Sequence, residues 1–194
     1  MIESLMCIGS LCEGHEFAKD LGIRNKGPVD NLAGDGFYSI ECLFSGAFRK
    51  IIIEKSFIPI KLEEDKKHRI LPIGYKIGPY TMIHNDLSKK ETYREMFDRV
   101  CLFEKYLRDS RNNNNMYYLY TLSETDELLT EPDIRNILNK LPDFIQSRII
   151  TLHTRYHNPE FMKFFPGITY KDGNDFWNSL GSERTKENFK NIII

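Results

Sequence analysis

From Tyr80 onward the hydrophobic pattern of this chain changes period four times, and that alternation limits the folds open to it. Tyr80-Thr81-Met82-Ile83 reads as a strand ending at His84-Asn85-Asp86. Ser88 and Glu91 have the spacing of a capping box, in which each side chain satisfies an otherwise orphan backbone N–H. They open a long amphipathic helix whose stripe is Tyr93, Met96, Phe97, Val100, Cys101 and Leu107. A surface tract, Asn112-Asn113-Asn114-Asn115, leads into the next strand, Met116 to Leu122. Thr130 and Asp133 form a further capping box with Pro132 in the first turn, and the helix continues through Ile134, Ile137, Leu138 and Leu141. Ser147 to Leu152 is another strand, ending at His153. Strands and helices in alternation build parallel sheets with crossover helices. The expected class is therefore α/β: an open, mainly parallel sheet with flanking helices, in one domain over 1–194.

The first half carries the chemistry. Leu5-Met6-Cys7-Ile8 reads as a short buried strand, Gly9 as its tight exit, and Ser10-Leu11-Cys12-Glu13 as a helix start with Ser10 and Glu13 spaced as a capping box. That places Cys12 in the first turn, where the positive end of the helix favours thiolate over thiol. The helix follows Leu11, Phe17, Ala18 and Leu21, and Gly22 stops it. Phe37, Ile40, Leu43 and Phe44 suggest a shorter helix, and Ile51 to Ile60 reads as extended and broken at Pro59. Cys7, Cys42 and Cys101 each sit in an apolar run and read as core thiols.

Ligands of open α/β sheets bind beyond the carboxyl ends of the strands. The polar residues expected there are Ser10 and Cys12, His84 and Asp86, Thr121 and Ser123, and His153. Bulk properties exclude some partners. A net charge of −1 offers no long-range attraction for nucleic acid or anionic lipid. At 194 residues, a normal core needs no disulfide or metal. Four cysteines without framework spacing fit a reducing compartment. The first apolar run is too short for a signal peptide or a membrane span. A cytoplasmic protein acting on a small molecule or peptide is the expectation, with no membrane partner and with oligomeric state left open. No phosphate-binding glycine loop is present. His153 and His157 have i,i+4 spacing but lack the His-Glu-x-x-His pattern, so neither metal nor cofactor is expected.

Several segments, in order, resemble a bacterial family labelled papain-like cysteine peptidase, whose biochemistry is largely unassigned. Ile8-Gly9-Ser10-Leu11-Cys12 is similar to its opening Ser-Leu-Gly-x-x-Cys. Leu21-Gly22-Ile23-Arg24 and Gly27-Pro28-Val29-Asp30-Asn31 resemble its Leu-Arg turn and the following Asp-Trp, with Asn31 where the family has Trp. Ile83-His84-Asn85-Asp86 resembles its His-Asp strand end, and Arg94, Arg99 and Phe103 its Arg-rich helix. Gly173-Asn174-Asp175-Phe176-Trp177 is similar to its C-terminal motif. The resemblance implies a Cys–His–acid thiol site with Cys12 as nucleophile. His84, with Asp86 near it, is favoured as the base. His153, with Asn174 and Asp175 downstream, keeps the papain-like order and remains the alternative. Asp30 is the next candidate acid, Ser10 a candidate oxyanion donor, and Arg99 and Trp177 candidate substrate contacts.

The family label implies a papain-like α+β fold, whereas the periodicity implies α/β. A small nucleophile just after the first strand also resembles the Gly-Asp-Ser-Leu esterases. The leading expectation is thus a thiol-dependent hydrolase or acyl transferase. Its rival is a non-catalytic module that binds an anionic or sugar-like ligand in the strand-end cleft.

Overall fold

β1 (Ser4–Cys7) sends Leu5 and Cys7 into one apolar cluster, and Met6, with Ile8 just beyond, into another. A pleated strand alternates its side chains in this way. With both faces apolar, the strand belongs in the middle of a covered sheet. The computed structural model describes residues 2–9, 11–29, 32–63 and 70–192, so Ser10 and Asp30 lie outside the described residues. After β1 come α1 (Cys12–Asp20) and β2 (Arg24–Asn25). An insertion follows, made of β3 (Leu32–Gly34), a 3-10 turn at Gly36–Ser39, α2 (Ile40–Phe44), α3 (Ala47–Glu54), β4 (Ile58–Lys61), β5 (Ile73–Ile77) and β6 (Tyr80–Met82). Then come α4 (Lys90–Ser110), β7 (Met116–Thr121), α5 (Glu131–Leu138), α6 (Asp143–Gln146), β8 (Ile149–His153), β9 (Gly167–Thr169), α7 (Gly173–Ser179) and α8 (Glu183–Lys190).

Two sheets result. The larger has the order β2-β1-β7-β8-β9 and is parallel throughout, with Met6 opposite Tyr118 and Leu119 opposite Ile150. The smaller, β3-β6-β5-β4, is antiparallel. One face of the parallel sheet packs Leu5, Cys7, Leu119, Ile150 and Leu152 against Phe17 and Ala18 of α1, Phe176 of α7 and Phe189 of α8. The other packs Met6, Tyr118, Tyr120 and Ile149 against α4, α5 and the insertion. The chain is α/β as the alternation implies, and the papain-like α+β alternative is set aside.

The insertion departs most from the sequence reading. Of the run from Ile51 to Ile60 expected to be extended, residues 51–54 belong to α3, because Phe48 and Ile52 share a buried helical face, and the run is a strand only from Ile58. Pro59 sits within β4, an edge strand where its missing N–H is tolerated. The strand at Tyr80 belongs to the small antiparallel sheet, not to the parallel one. At the start of α4 the capping box does not form: Lys89 is the N-cap, and Ser88 donates instead to Asp86. The buried stripe of α4 is Met96, Val100, Phe103 and Tyr106, which leaves Cys101 exposed and not in the core. Cys7 is buried and Cys42 partly so. The Thr130–Asp133 box forms as expected. Among the described residues, no helix is long and apolar enough to cross a membrane.

Gly9 lets β1 leave the sheet against its neighbour. A Cβ at Gly9 would stand 2.6 Å from the Thr121 backbone nitrogen and 3.1 Å from its oxygen. Backbone inside a sheet cannot yield as a side-chain tip can. Gly9→Ala is therefore expected to cost about 2–3 kcal/mol through forced displacement of β7. A urea midpoint equal to that of the parent protein would refute this.

Candidate functional site

β1 and β7 are neighbours, yet the chain leaves β1 toward β2 on one side and returns through β7 on the other. Such a reversal opens a crevice beyond the carboxyl ends of the two strands. A cavity of about 260 Å³ lies there, lined by Leu11, Cys12, Leu32, Ala33, Gly34, Ile83, His84 and Ser123. Cys12 comes from the start of α1 and Ser123 from the exit of β7. Leu32, Ala33 and Gly34 are β3 itself, and Ile83 and His84 follow β6. The antiparallel insertion thus forms the wall facing the thiol. Apart from Cys12, His84 and Ser123, the described residues of the lining are apolar or glycine.

Cys12 is the first residue of α1, with Leu11 as N-cap in extended backbone. Glu13 turns inward, only 1 % exposed, and its Oε1 lies 2.6 Å from Arg155 Nε, a charge contact without hydrogen-bond alignment. The Cys12 thiol donates to the other Glu13 oxygen, Oε2, at 3.5 Å. The sequence expectation of an acidified thiol is reversed here. Cys12 is exposed as a residue, yet desolvation of its thiol first, then the Glu13 carboxylate, pushes it up to about 11, while the Arg155 charge opposes this only in part. Desolvation and a buried anion at contact distance together outweigh the helix terminus.

Ser123 is fixed by Asp126, a fully buried carboxylate. Asp126 Oδ2 accepts from Ser123 N (2.8 Å), Ser123 Oγ (2.9 Å) and Tyr120 Oη (2.6 Å), and Oδ1 accepts from Phe37 N (2.7 Å). This knot ties the exit of β7 to the turn that follows β3. Asn158 braces it by donating to the Asp126 and Leu129 carbonyls, each at 2.7 Å. Burial and the Asp126 charge push the Tyr120 phenol far above its ordinary range, so it stays a donor.

The other residues singled out by sequence are distributed around the molecule. Asp86 accepts from Tyr75 Oη (2.7 Å), Ser88 N (2.9 Å) and Ser88 Oγ (2.7 Å), and these bonds lower its pKa. It holds the turn before α4 and does not line the cavity. His153 is buried, with Nε2 3.1 Å from Thr151 Oγ1. Burial and the neighbouring His157 push it down to about 4. It ends β8 outside the cavity lining, and His157 lies beyond it in irregular chain, with ring centroids 6.2 Å apart. Among the described residues, no group of three or more His, Cys, Asp or Glu is arranged to hold a metal. Asp175 is gripped by both terminal nitrogens of Arg184, and it and Asn174 lie in the first turn of α7. Trp177, on the same helix, is exposed and touches Phe176 edge-on at 5.1 Å. Arg99, mostly buried on α4, pairs with Glu95 at 2.6 Å.

The structure therefore brings Cys12 and His84 to one cavity and leaves Asp86, His153, Asn174, Asp175, Arg99 and Trp177 out of its lining. The sequence reading missed Glu13 as the thiol's partner, and Arg155 and Asp126 altogether. Glu13 had a readable signal. It sits four residues before Phe17 and five before Ala18, on the apolar side of α1, where a carboxylate requires a counter-charge. Comparison with family models, with curated proteins and with solved structures gives no match.

Proposed function

We propose that the cavity is a thiol-dependent acyl-transfer or hydrolase site, cysteine peptidase-like in its parts, with Cys12 as nucleophile and His84 as proton carrier. One observation carries this reading: a thiol and an imidazole, supplied by different sheets, line the same cavity at the reversal point of the parallel sheet. Cys12 Sγ attacks a carbonyl carbon while His84 takes the thiol proton. His84 then returns it to the departing oxygen or nitrogen as the acyl bond breaks. Water attacks the resulting thioester, its proton passes to His84, and the sulfur leaves and is reprotonated. The first N–H groups of α1 lack intrahelical acceptors and are the available donors for the oxyanion. Because desolvation and Glu13 hold the resting thiol protonated, removal of the proton accompanies attack and does not precede it.

The apolar lining favours a small, apolar acyl group. The same raised thiol favours the rival, a ligand-binding cavity without chemistry, and one experiment separates them. The protein is mixed with p-nitrophenyl acetate or butyrate, and acyl-cysteine is located by mass spectrometry, with the exposed Cys101 as internal control. Cys12 should acylate faster than Cys101, and His84→Gln should slow this by roughly 100-fold, the low end for a positioned base. A Cys12 no faster than Cys101, or one indifferent to His84, would leave only the binding reading.

A further inference from the structure

Arg155 lies two residues past the end of β8, where a long side chain ordinarily samples many rotamers. Here it is held from two sides. Its Nε meets the buried Glu13 carboxylate at 2.6 Å. Its stem crosses Gly173 so closely that a Cβ there would stand 3.1 Å from Arg155 Cγ and 3.3 Å from Nε. The side chain is nevertheless 51 % exposed, and among the described residues neither Nη group makes a hydrogen bond. Neutralising Glu13 requires only a positive charge. A planar fork, immobilised with two nitrogens left over, is geometry suited to a second carboxylate.

Its distance from the thiol is set by Glu13. That one carboxylate contacts Cys12 through Oε2 at 3.5 Å and Arg155 through Oε1 at 2.6 Å. The Arg155 charge also reaches Cys12, where it favours the thiolate. The apolar cavity opens from the same cysteine.

We infer that Arg155 recognises a carboxylate on the substrate. The substrate of the Cys12 site is then a compact acyl compound with one apolar part in the cavity and a carboxylate near the scissile bond. This inference rests on the thiol-site reading above.

Two methanethiosulfonates of matched length, propyl and 2-carboxyethyl, test it without knowledge of the natural substrate. In each, the Cys12 thiolate attacks the alkyl-bearing sulfur and methanesulfinate leaves. Both rates depend on the same thiolate fraction, so their ratio cancels any change in the ionisation of Cys12. The ratio at Cys12, divided by that at Cys101 in the same sample, is measured for the parent protein, Arg155→Gln and Arg155→Lys. The carboxylate reagent should be favoured at Cys12 by about fivefold, the scale of one well-placed charge pair. Arg155→Gln should abolish the preference and Arg155→Lys should keep only part of it. A ratio near one in the parent protein, a ratio blind to Arg155→Gln, or full retention by lysine overturns carboxylate recognition while leaving the thiol site standing. A Cys12 inert to both reagents removes the thiol-site reading and this inference with it.

Discussion

Asp126→Ala is expected to destabilise the protein by about 4 kcal/mol, since it strands several buried donors at once. Ser123 N, Phe37 N and the Tyr120 hydroxyl all direct their protons at this carboxylate, and all are buried. Hydrogen bonds to a charged acceptor contribute about 1.5–3 kcal/mol each, and the desolvated N–H groups have no water to turn to. For a chain of this length that corresponds to a melting temperature lower by roughly 10 °C. Asp126→Asn should cost clearly less. The two hydroxyls can rotate to accept from the new amide, which leaves Ser123 N facing a donor as the main mismatch. Urea titration of both variants checks the order. A loss below about 1 kcal/mol for alanine would mean that the network contributes little net stability.

Glu13→Gln is expected to make Cys12 more reactive, the reverse of what loss of a catalytic acid would do. The thiol sits at about 11 because of burial first and the Glu13 charge and hydrogen bond next. Removing the anion takes away both Glu13 contributions and leaves Arg155, which acts in the opposite direction. The midpoint of iodoacetamide alkylation at Cys12 should therefore move to lower pH. Each unit of that shift multiplies the thiolate fraction about tenfold well below the midpoint. A less basic thiolate is also a weaker nucleophile, so the net gain is about threefold per unit. An unchanged midpoint in Glu13→Gln would show that desolvation alone sets the resting state of the thiol.

Sequence reading went furthest where period and covering agreed. Met116 to Leu122 and Ser147 to Leu152 alternate apolar residues toward two faces, and both are central strands of the parallel sheet. It failed where one pattern served two structures. Ile51, Ile52 and Ile53 are β-branched and read as extended, yet Phe48 and Ile52 have helical spacing, and burial of that face against α4 decided the matter. The strand at Tyr80 was legible as a strand but not as a member of a second sheet, because partner choice is not written in a local pattern. For the site, the cysteine at the strand-to-helix junction and the histidine at a strand end were legible as residue types in known places. Their meeting was not, since it depends on an insertion folding back over the sheet edge. The expected acidic thiol failed for a plainer reason. Glu13 was assigned to a cap, whereas Arg155, far along the chain, draws it inward.

Thiol and imidazole are carried by separate layers, the thiol on α1 of the parallel sheet and the imidazole on the loop after β6 of the insertion. Among the described residues, no backbone hydrogen-bond ladder joins the two sheets. Their registration among these residues relies on side-chain packing, on α3 against α4, and on cross-links such as Phe37 N to Asp126, Tyr93 Oη to the Ile52 carbonyl, and the Arg49–Glu104 and Lys140–Glu41 pairs. On the proposed pairing of Cys12 with His84, reactivity at Cys12 would be a gauge of how the insertion is seated. Loosening of that layer would then part the two residues while the larger sheet kept its hydrogen bonds, so the proposed competence and foldedness would be separable.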